Sequence, residues 1–195
     1  MTTSPPTPSR RAVLGGAAAT AATALVPATA RAQYVLPPQF RPRLVRTGTQ
    51  VPAGELHLDP NQFALYWGMG DGTAIRYSVG VARRDLWYTG TFRVGLKREW
   101  PSWTPTANMI RREPHIYAQF ADGMPGGPDN PLGARALYLY RGGRDTYLRI
   151  HGTNAPNTIG TRVSNGCARL LNDHVADLYQ RVPVGTRTVL YPMYG

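Results

Sequence analysis

The 195 residues contain one cysteine, four histidines and 11 acidic side chains set against 22 Lys and Arg. A single thiol forms no internal disulfide, so a disulfide-stapled scaffold is excluded, and Cys167 is either an inert buried residue or one kept for its reactivity. The histidines and acids stand at no metal-ligand spacing, so no metal site is expected. Long apolar runs are also missing. The best candidate, Ala12 to Val26, is short and rich in Ala, Gly and Thr, which argues against a stable membrane anchor. Lys and Arg form no stripe interleaved with aromatics, and with the export signal described next this sets nucleic acid aside as a partner.

What is present begins with an export pattern. Ser9-Arg10-Arg11-Ala12-Val13-Leu14 is a twin-arginine motif, the apolar run follows, and Ala30-Arg31-Ala32 offers small residues for cleavage before Gln33. Residues 1–32 are therefore expected to be a cleaved twin-arginine signal, and the mature chain to be periplasmic or associated with a cell wall. Loss of Arg10, Arg11 and Arg31 lowers the basic count from 22 to 19 against 11 acids, so the mature chain stays cationic. That charge suits an anionic partner such as carboxylate-bearing wall peptides or anionic lipid. It suits simple solubility equally well.

Residues 33–54 are rich in Pro, Arg, Gln and Thr without a sustained period and read as an extended basic arm. From Glu55 the pattern changes to short period-two segments: Glu55 to Asp59, Phe63 to Trp67, Thr73 to Val81, Thr89 to Gly95, Ala134 to Tyr140, Thr146 to Ile150 and Thr186 to Tyr191. Hairpins are expected at Met69 to Gly72 and at Arg141-Gly142-Gly143-Arg144. One clear helix, Asp173 to Arg181, follows with Asn172 as its N-cap and Pro183 as its stop, and a short one is possible near Thr106 to Arg112. The length of 55–195 suits one mostly β domain. The irregular stretch from Lys97 to Gly133 is longer than a plain connection and reads as a flap over the site, with Trp100 and Trp103 as candidates to meet substrate or to staple the flap. His57 and His174 are expected to be structural or exposed, and His115, beside Pro114 in the flap, is a disfavoured candidate for substrate contact.

Chemistry concentrates in Ile150 to Leu170, IHGTNAPNTIGTRVSNGCARL. His151 falls at the end of a strand, sixteen positions before Cys167. A thiol attacks only as its thiolate and needs a base or cation beside it, and a neutral imidazole is the usual partner. Ser164, Asn165 and Gly166 allow a sharp bend that points N–H groups at an incoming carbonyl, as an oxyanion hole requires. Tyr147 and Arg149 alternate onto the same strand face as His151 and are further site candidates. Arg169 is suited to hold a carboxylate through paired hydrogen bonds.

His151-Gly152-Thr153 followed by Ser164-Asn165-Gly166-Cys167-Ala168-Arg169 resembles the signature of the L,D-transpeptidase catalytic domain, the YkuD-like family, and Thr89 to Phe92 and Asp129 to Leu139 resemble its upstream segments. The likeness covers most of Glu55 to Tyr191. Two residues depart from the pattern: Asn165 stands where histidine is commonest, and Ala168 where a larger aliphatic residue is usual. The first leaves His151 as the base.

The resemblance implies a β-sandwich or mixed-sheet domain and a Cys167 nucleophile with His151 as base. It also implies that the carbonyl of Gly152 fixes the imidazole. The reaction implied is acyl transfer through a thioester, on peptidoglycan stem peptides cut between the third residue and the fourth. An amine on another stem or on an acceptor protein resolves the acyl-enzyme, no cofactor is needed, and carbapenems are expected inhibitors. Water as acceptor would make the same site an L,D-carboxypeptidase. A papain-like protease is disfavoured because such enzymes place the cysteine before the histidine. A non-catalytic wall-binding module, with Asn165 and Ala168 as marks of decay, is the reading outside enzymes.

Overall fold

A computed structural model describes residues 1–3, 34 and 36–194. The twin-arginine pattern and apolar run expected within residues 1–32 lie outside the described residues. The described strands are β1 (Arg43–Arg46), β2 (Leu56–Asp59), β3 (Ala64–Gly68), β4 (Thr73–Ser78), β5 (Val81–Ala82), β6 (Gly90–Glu99), β7 (Arg135–Arg141), β8 (Arg144–His151), β9 (Arg162–Ser164), β10 (Ala168–Arg169) and β11 (Arg187–Leu190). The helices are α1 (Ala107–Arg112), α2 (Pro114–Tyr117) and α3 (Asn172–Arg181). The fold is mostly β with a mixed sheet, as the sequence implies.

Nine strands form one sheet in the order β1-β4-β3-β2-β11-β6-β7-β8-β10, and β5 pairs with β9 separately. Neighbours joined by short turns, β2 with β3, β3 with β4 and β7 with β8, are antiparallel because a tight hairpin reverses the chain, and β6 and β7 are antiparallel across the long stretch from Glu99 to Arg135. Gly142 and Gly143 both take positive φ, 57° and 77°, the backbone a two-residue hairpin between β7 and β8 needs. Three pairs are parallel: β11 with β2, β10 with β8, and β5 with β9. The second matters most, since it returns the chain alongside β8 at the site.

Alternating residues of the central strands supply the core. Leu56 and Leu58, Phe92 and Val94, and Leu137 and Leu139 are buried, with Val175, Leu178 and Val182 from α3 and its C-terminal end packed into the same cluster. Burial of such side chains contributes on the order of 1.5–3 kcal/mol each, which makes this cluster the main source of stability. Lys97 on β6 donates from Nζ to the Val182 carbonyl at 2.7 Å and lies 4.1 Å from the Tyr179 ring centroid, so one cation serves the carbonyls at the C-terminal end of α3.

Several boundaries differ from the sequence reading, each for a local reason. The stretch expected to run from Thr73 to Val81 stops at Ser78, and Val81–Ala82 turns away to pair with β9. Asn172 is the first residue of α3, not its N-cap; Leu171 occupies the cap and its apolar side chain makes no cap bond, while the Asn172 carboxamide accepts from the Ala134 and Thr153 amides. Within residues 33–54, Arg43–Arg46 is an edge strand hydrogen-bonded to β4, so this stretch adds to the sheet. The strand beginning near Thr89 continues to Glu99, with an irregularity between Val94 and Leu96 where Gly95 lies under the Tyr140 ring. Among the described residues no helix is long and apolar enough to cross a membrane.

Candidate active site

The parallel pairing of β10 with β8 sets Ala168 beside Ile150 and Arg169 beside His151, and the Leu170 amide donates to the His151 carbonyl at 2.8 Å. Cys167, immediately before β10, therefore lies at the level of Arg149, on the strand that ends in His151. The turn leading to it is held by Ser164, whose buried hydroxyl donates to the Cys167 carbonyl at 2.5 Å. Gly166 has φ of 129°, and a Cβ there would press on Leu148 at 3.2 Å, so the turn requires glycine.

Cys167 is half-buried and free, and its Sγ donates to the Tyr147 carbonyl at 3.8 Å. Tyr147 itself has φ of 61°, a sparsely populated conformation for a bulky residue, and its ring is 71% exposed. This kink breaks the strand alternation that would have put Tyr147 and Arg149 in simple register with His151. It coincides with the irregular β7–β8 pairing between Tyr138 and Tyr140. Arg149 is fixed on three sides: Nη1 and Nη2 hold the Asp145 carboxylate at 2.7 and 2.8 Å, and the guanidinium lies 3.9 Å from the Tyr138 ring centroid.

His151 is buried, and its Nδ1 lies 2.6 Å from the Gly152 carbonyl oxygen. A carbonyl only accepts, so Nδ1 carries the hydrogen and Nε2 is left as the basic nitrogen. Burial first, and then the Arg169 charge, push the imidazole pKa down to about 3. Burial pushes the Cys167 thiol up, opposed by a backbone hydrogen bond from Arg149 and by the charges of Arg149 and Arg169. At neutral pH the resting pair is thus an uncharged thiol and an uncharged imidazole.

Both residues line a cleft of about 870 Å³, within the range of small-ligand and peptide sites. Ser164, Asn165, Tyr147, Arg149 and Arg169 line it as well, whereas Gly152 sits behind His151 and touches the site through its carbonyl. Its wall includes Arg112, Arg141, Arg149 and Arg169 and, among the described residues, no carboxylate. Arg149 is neutralised by Asp145, whereas Arg112 donates to Asn165 Oδ1, Arg141 donates to the Thr89 carbonyl and lies 4.1 Å from the Phe92 ring centroid, and the buried Nε of Arg169 has no partner among the described residues. The flap supplies one side through α1 and Trp103, which packs edge-on to Tyr117 and Phe120. Trp100 is 46% exposed and does not line the cleft, and His115 is exposed. His57 is buried away from the cleft, between Tyr191 Oη at 2.7 Å and Glu55 at 3.0 Å. Among the described residues no three His, Cys, Asp or Glu side chains cluster as metal ligands.

Sequence reasoning missed Asn172. Its Oδ1 accepts from the Ala134 amide at 3.0 Å and the Thr153 amide at 3.1 Å, tying the start of β7 to the loop that follows His151-Gly152. Gly133 and Gly152 leave room for that oxygen, since a Cβ at either would overlap it. An asparagine beside a helix start signals a cap, and nothing local reveals that its partners lie 38 and 19 residues away.

With this geometry established, the family is clear: the chain belongs to the L,D-transpeptidase catalytic domain family, whose model (YkuD) matches residues 54–190. It is 37% identical over 148 residues to "Probable L,D-transpeptidase YbiS" of Escherichia coli K12, an alignment covering 75% of this chain and 45% of that protein. The chain thus spans about half the length of that relative. Among solved structures it is 48% identical to a Brucella melitensis protein described as "Probable carnitine operon oxidoreductase caia", with a TM-score of 0.55 over 77% of this chain and 93% of that one. The fold is also that of the "Ldtfm-avibactam carbamoyl enzyme", at TM-score 0.55 and 16% identity, covering 74% of this chain and 51% of that one.

Proposed function

We propose that this chain transfers acyl groups from peptidoglycan stem peptides to an amine through a Cys167 thioester. The observation that carries the reading is that a half-buried thiol and a neutral imidazole fixed by its neighbour's carbonyl line one cationic cleft, with no carboxylate among the described residues of its wall. Stem peptides carry several carboxylates, and Arg112, Arg141 and Arg169 line the cleft with no ion-pair partner among the described residues. Nε2 of His151 takes the Cys167 proton, and the thiolate attacks the carbonyl that joins the third stem residue to the fourth. The N–H groups of the Asn165 to Cys167 turn hold the developing oxyanion. Collapse of that intermediate forms the thioester and expels the fourth residue as an amine, which takes the proton back from His151. The acceptor amine, on a second stem or a protein, then attacks the thioester, gives its proton to His151, and restores the thiol.

A resting pair that is neutral holds the thiolate in reserve until a substrate carbonyl and the arginine-rich wall are both engaged. The avibactam carbamoyl enzyme formed by a protein of the same fold makes covalent acylation by such inhibitors a property to test here, and carbapenems are expected to acylate Cys167. We also infer, from Ser9 to Leu14 and the following apolar run, that residues 1–32 direct twin-arginine export and that residues 55–195 form the catalytic domain at the wall.

The test is incubation of the protein with a tetrapeptide stem, with and without an amine acceptor, read by mass spectrometry. Exchange of the fourth residue for the acceptor, lost in Cys167→Ala, is the expected result. Release of tripeptide alone in the presence of acceptor would assign the carboxypeptidase reaction, and no turnover by a folded protein would overturn the reading.

A further inference from the structure

Asn165 occupies the position where the family pattern most often has histidine, and its side chain makes three hydrogen bonds. Its Oδ1 accepts from Arg83 Nη2 at 3.1 Å and from Arg112 Nη2 at 2.8 Å, and its Nδ2 donates to the Tyr117 hydroxyl at 2.7 Å. The orientation of the carboxamide follows from chemistry, since guanidinium groups only donate and the oxygen must face both. Three separate segments converge on it. Arg83 follows β5, and its amide donates to the Ser164 carbonyl at 3.0 Å; Arg112 is the last residue of α1; Tyr117 is the last of α2. Between the helices, Glu113 holds Arg83 through paired bonds of 3.0 and 3.1 Å.

We propose that Asn165 is a positioning residue that latches the flap helices α1 and α2 onto the nucleophile turn, and so sets the width of the acyl-donor cleft. α1 lines that cleft, and Asn165 stands two residues before Cys167, so flap and nucleophile share one hydrogen-bonded joint. A neutral imidazole offers one acceptor and one donor, whereas a carboxamide offers two lone pairs and two N–H groups. Only the latter serves two arginines and a tyrosine together. The departure from the common motif is thereby matched to this chain's own flap residues Arg112 and Tyr117, and the position works through the flap without proton transfer.

The consequence for substrate rests on the transfer reading above, but the latch is measurable without it. Hydrogen exchange of the full-length protein without substrate should be about tenfold faster across residues 107–117 in Asn165→Ala than in wild type, with little change in the core strands. Asn165→Asp should restore slow exchange, because a carboxylate accepts from both arginines and from the tyrosine hydroxyl. With a stem-peptide donor, Asn165→Ala should raise KM several-fold more than it lowers kcat. Should Asn165→Ala lose its fold, Arg112→Gln and Tyr117→Phe carry the same test, each loosening the segment partly. Unchanged exchange at 107–117 in folded variants, or no rescue by aspartate, would overturn the latch. The predicted exchange in a protein that turns over no peptide would leave the latch standing and remove the transfer reading instead.

Discussion

Nδ1 of His151 donates to the carbonyl of Gly152, the next residue in the chain, at 2.6 Å. An imidazole oriented by its own neighbour needs no third side chain to hold its tautomer. The rigidity of that carbonyl then depends on what holds Gly152, and Asn172 holds the residues on either side of the joint.

Asn172→Ala is accordingly expected to cost roughly 1–3 kcal/mol for each buried amide, Ala134 and Thr153, left without an acceptor. Urea unfolding of the variant would show it, and Cys167 alkylation should slow as the His151 ring loses its fixed orientation. An unchanged urea midpoint would mean the two amides find other partners.

Gly152→Ala tests the same joint from the other side. A Cβ there overlaps the Asn172 oxygen and meets the Ala134 amide nitrogen at 3.0 Å, so either the carboxamide or the carbonyl that holds His151 must shift. A loss of about 1–3 kcal/mol is expected, with acyl transfer falling further than stability alone explains.

The pH dependence has a definite sign. The folded state keeps the His151 imidazole neutral down to about 3, while the unfolded chain binds a proton near the ordinary histidine value of about 6.5. Stability is therefore unaffected above about pH 6.5 and falls as pH drops from there towards 3, by at most about 1.4 kcal/mol per unit. Urea unfolding at pH 7, 6 and 5 should show that decline in wild type and less of it in His151→Ala. Cys167 alkylation should show no histidine inflection between pH 5 and 8.

Arg149 lies at the level of Cys167 and favours its thiolate. Arg149→Met should move the alkylation profile of Cys167 to higher pH and slow the reaction roughly threefold at pH 7. Arg149→Lys should recover only part of the rate, because the paired hold on Asp145 and the stack on Tyr138 need the planar guanidinium.

Much of the β architecture was legible because alternation and turn chemistry are local. Leu56 and Leu58 alternate with polar neighbours, and Gly142-Gly143 marks its hairpin. The three parallel pairings were not legible, since nothing in Ala168-Arg169 specifies Ile150-His151 as partner across sixteen intervening residues. In the site, Cys167 and His151 stood out by residue type, and the structure brings both into one cleft. The positive φ of Tyr147 and the distant partners of Asn165 and Asn172 are set by tertiary packing, and a one-dimensional pattern does not carry them.

The central claim is that Cys167 is a nucleophile served by His151, and intact-mass spectrometry after incubation with a carbapenem tests it most directly. One covalent adduct on the wild-type protein, none on Cys167→Ala, and slower formation on His151→Ala is the predicted result. A folded wild-type protein that gains no mass, or a Cys167→Ala variant that gains the same mass, would contradict it.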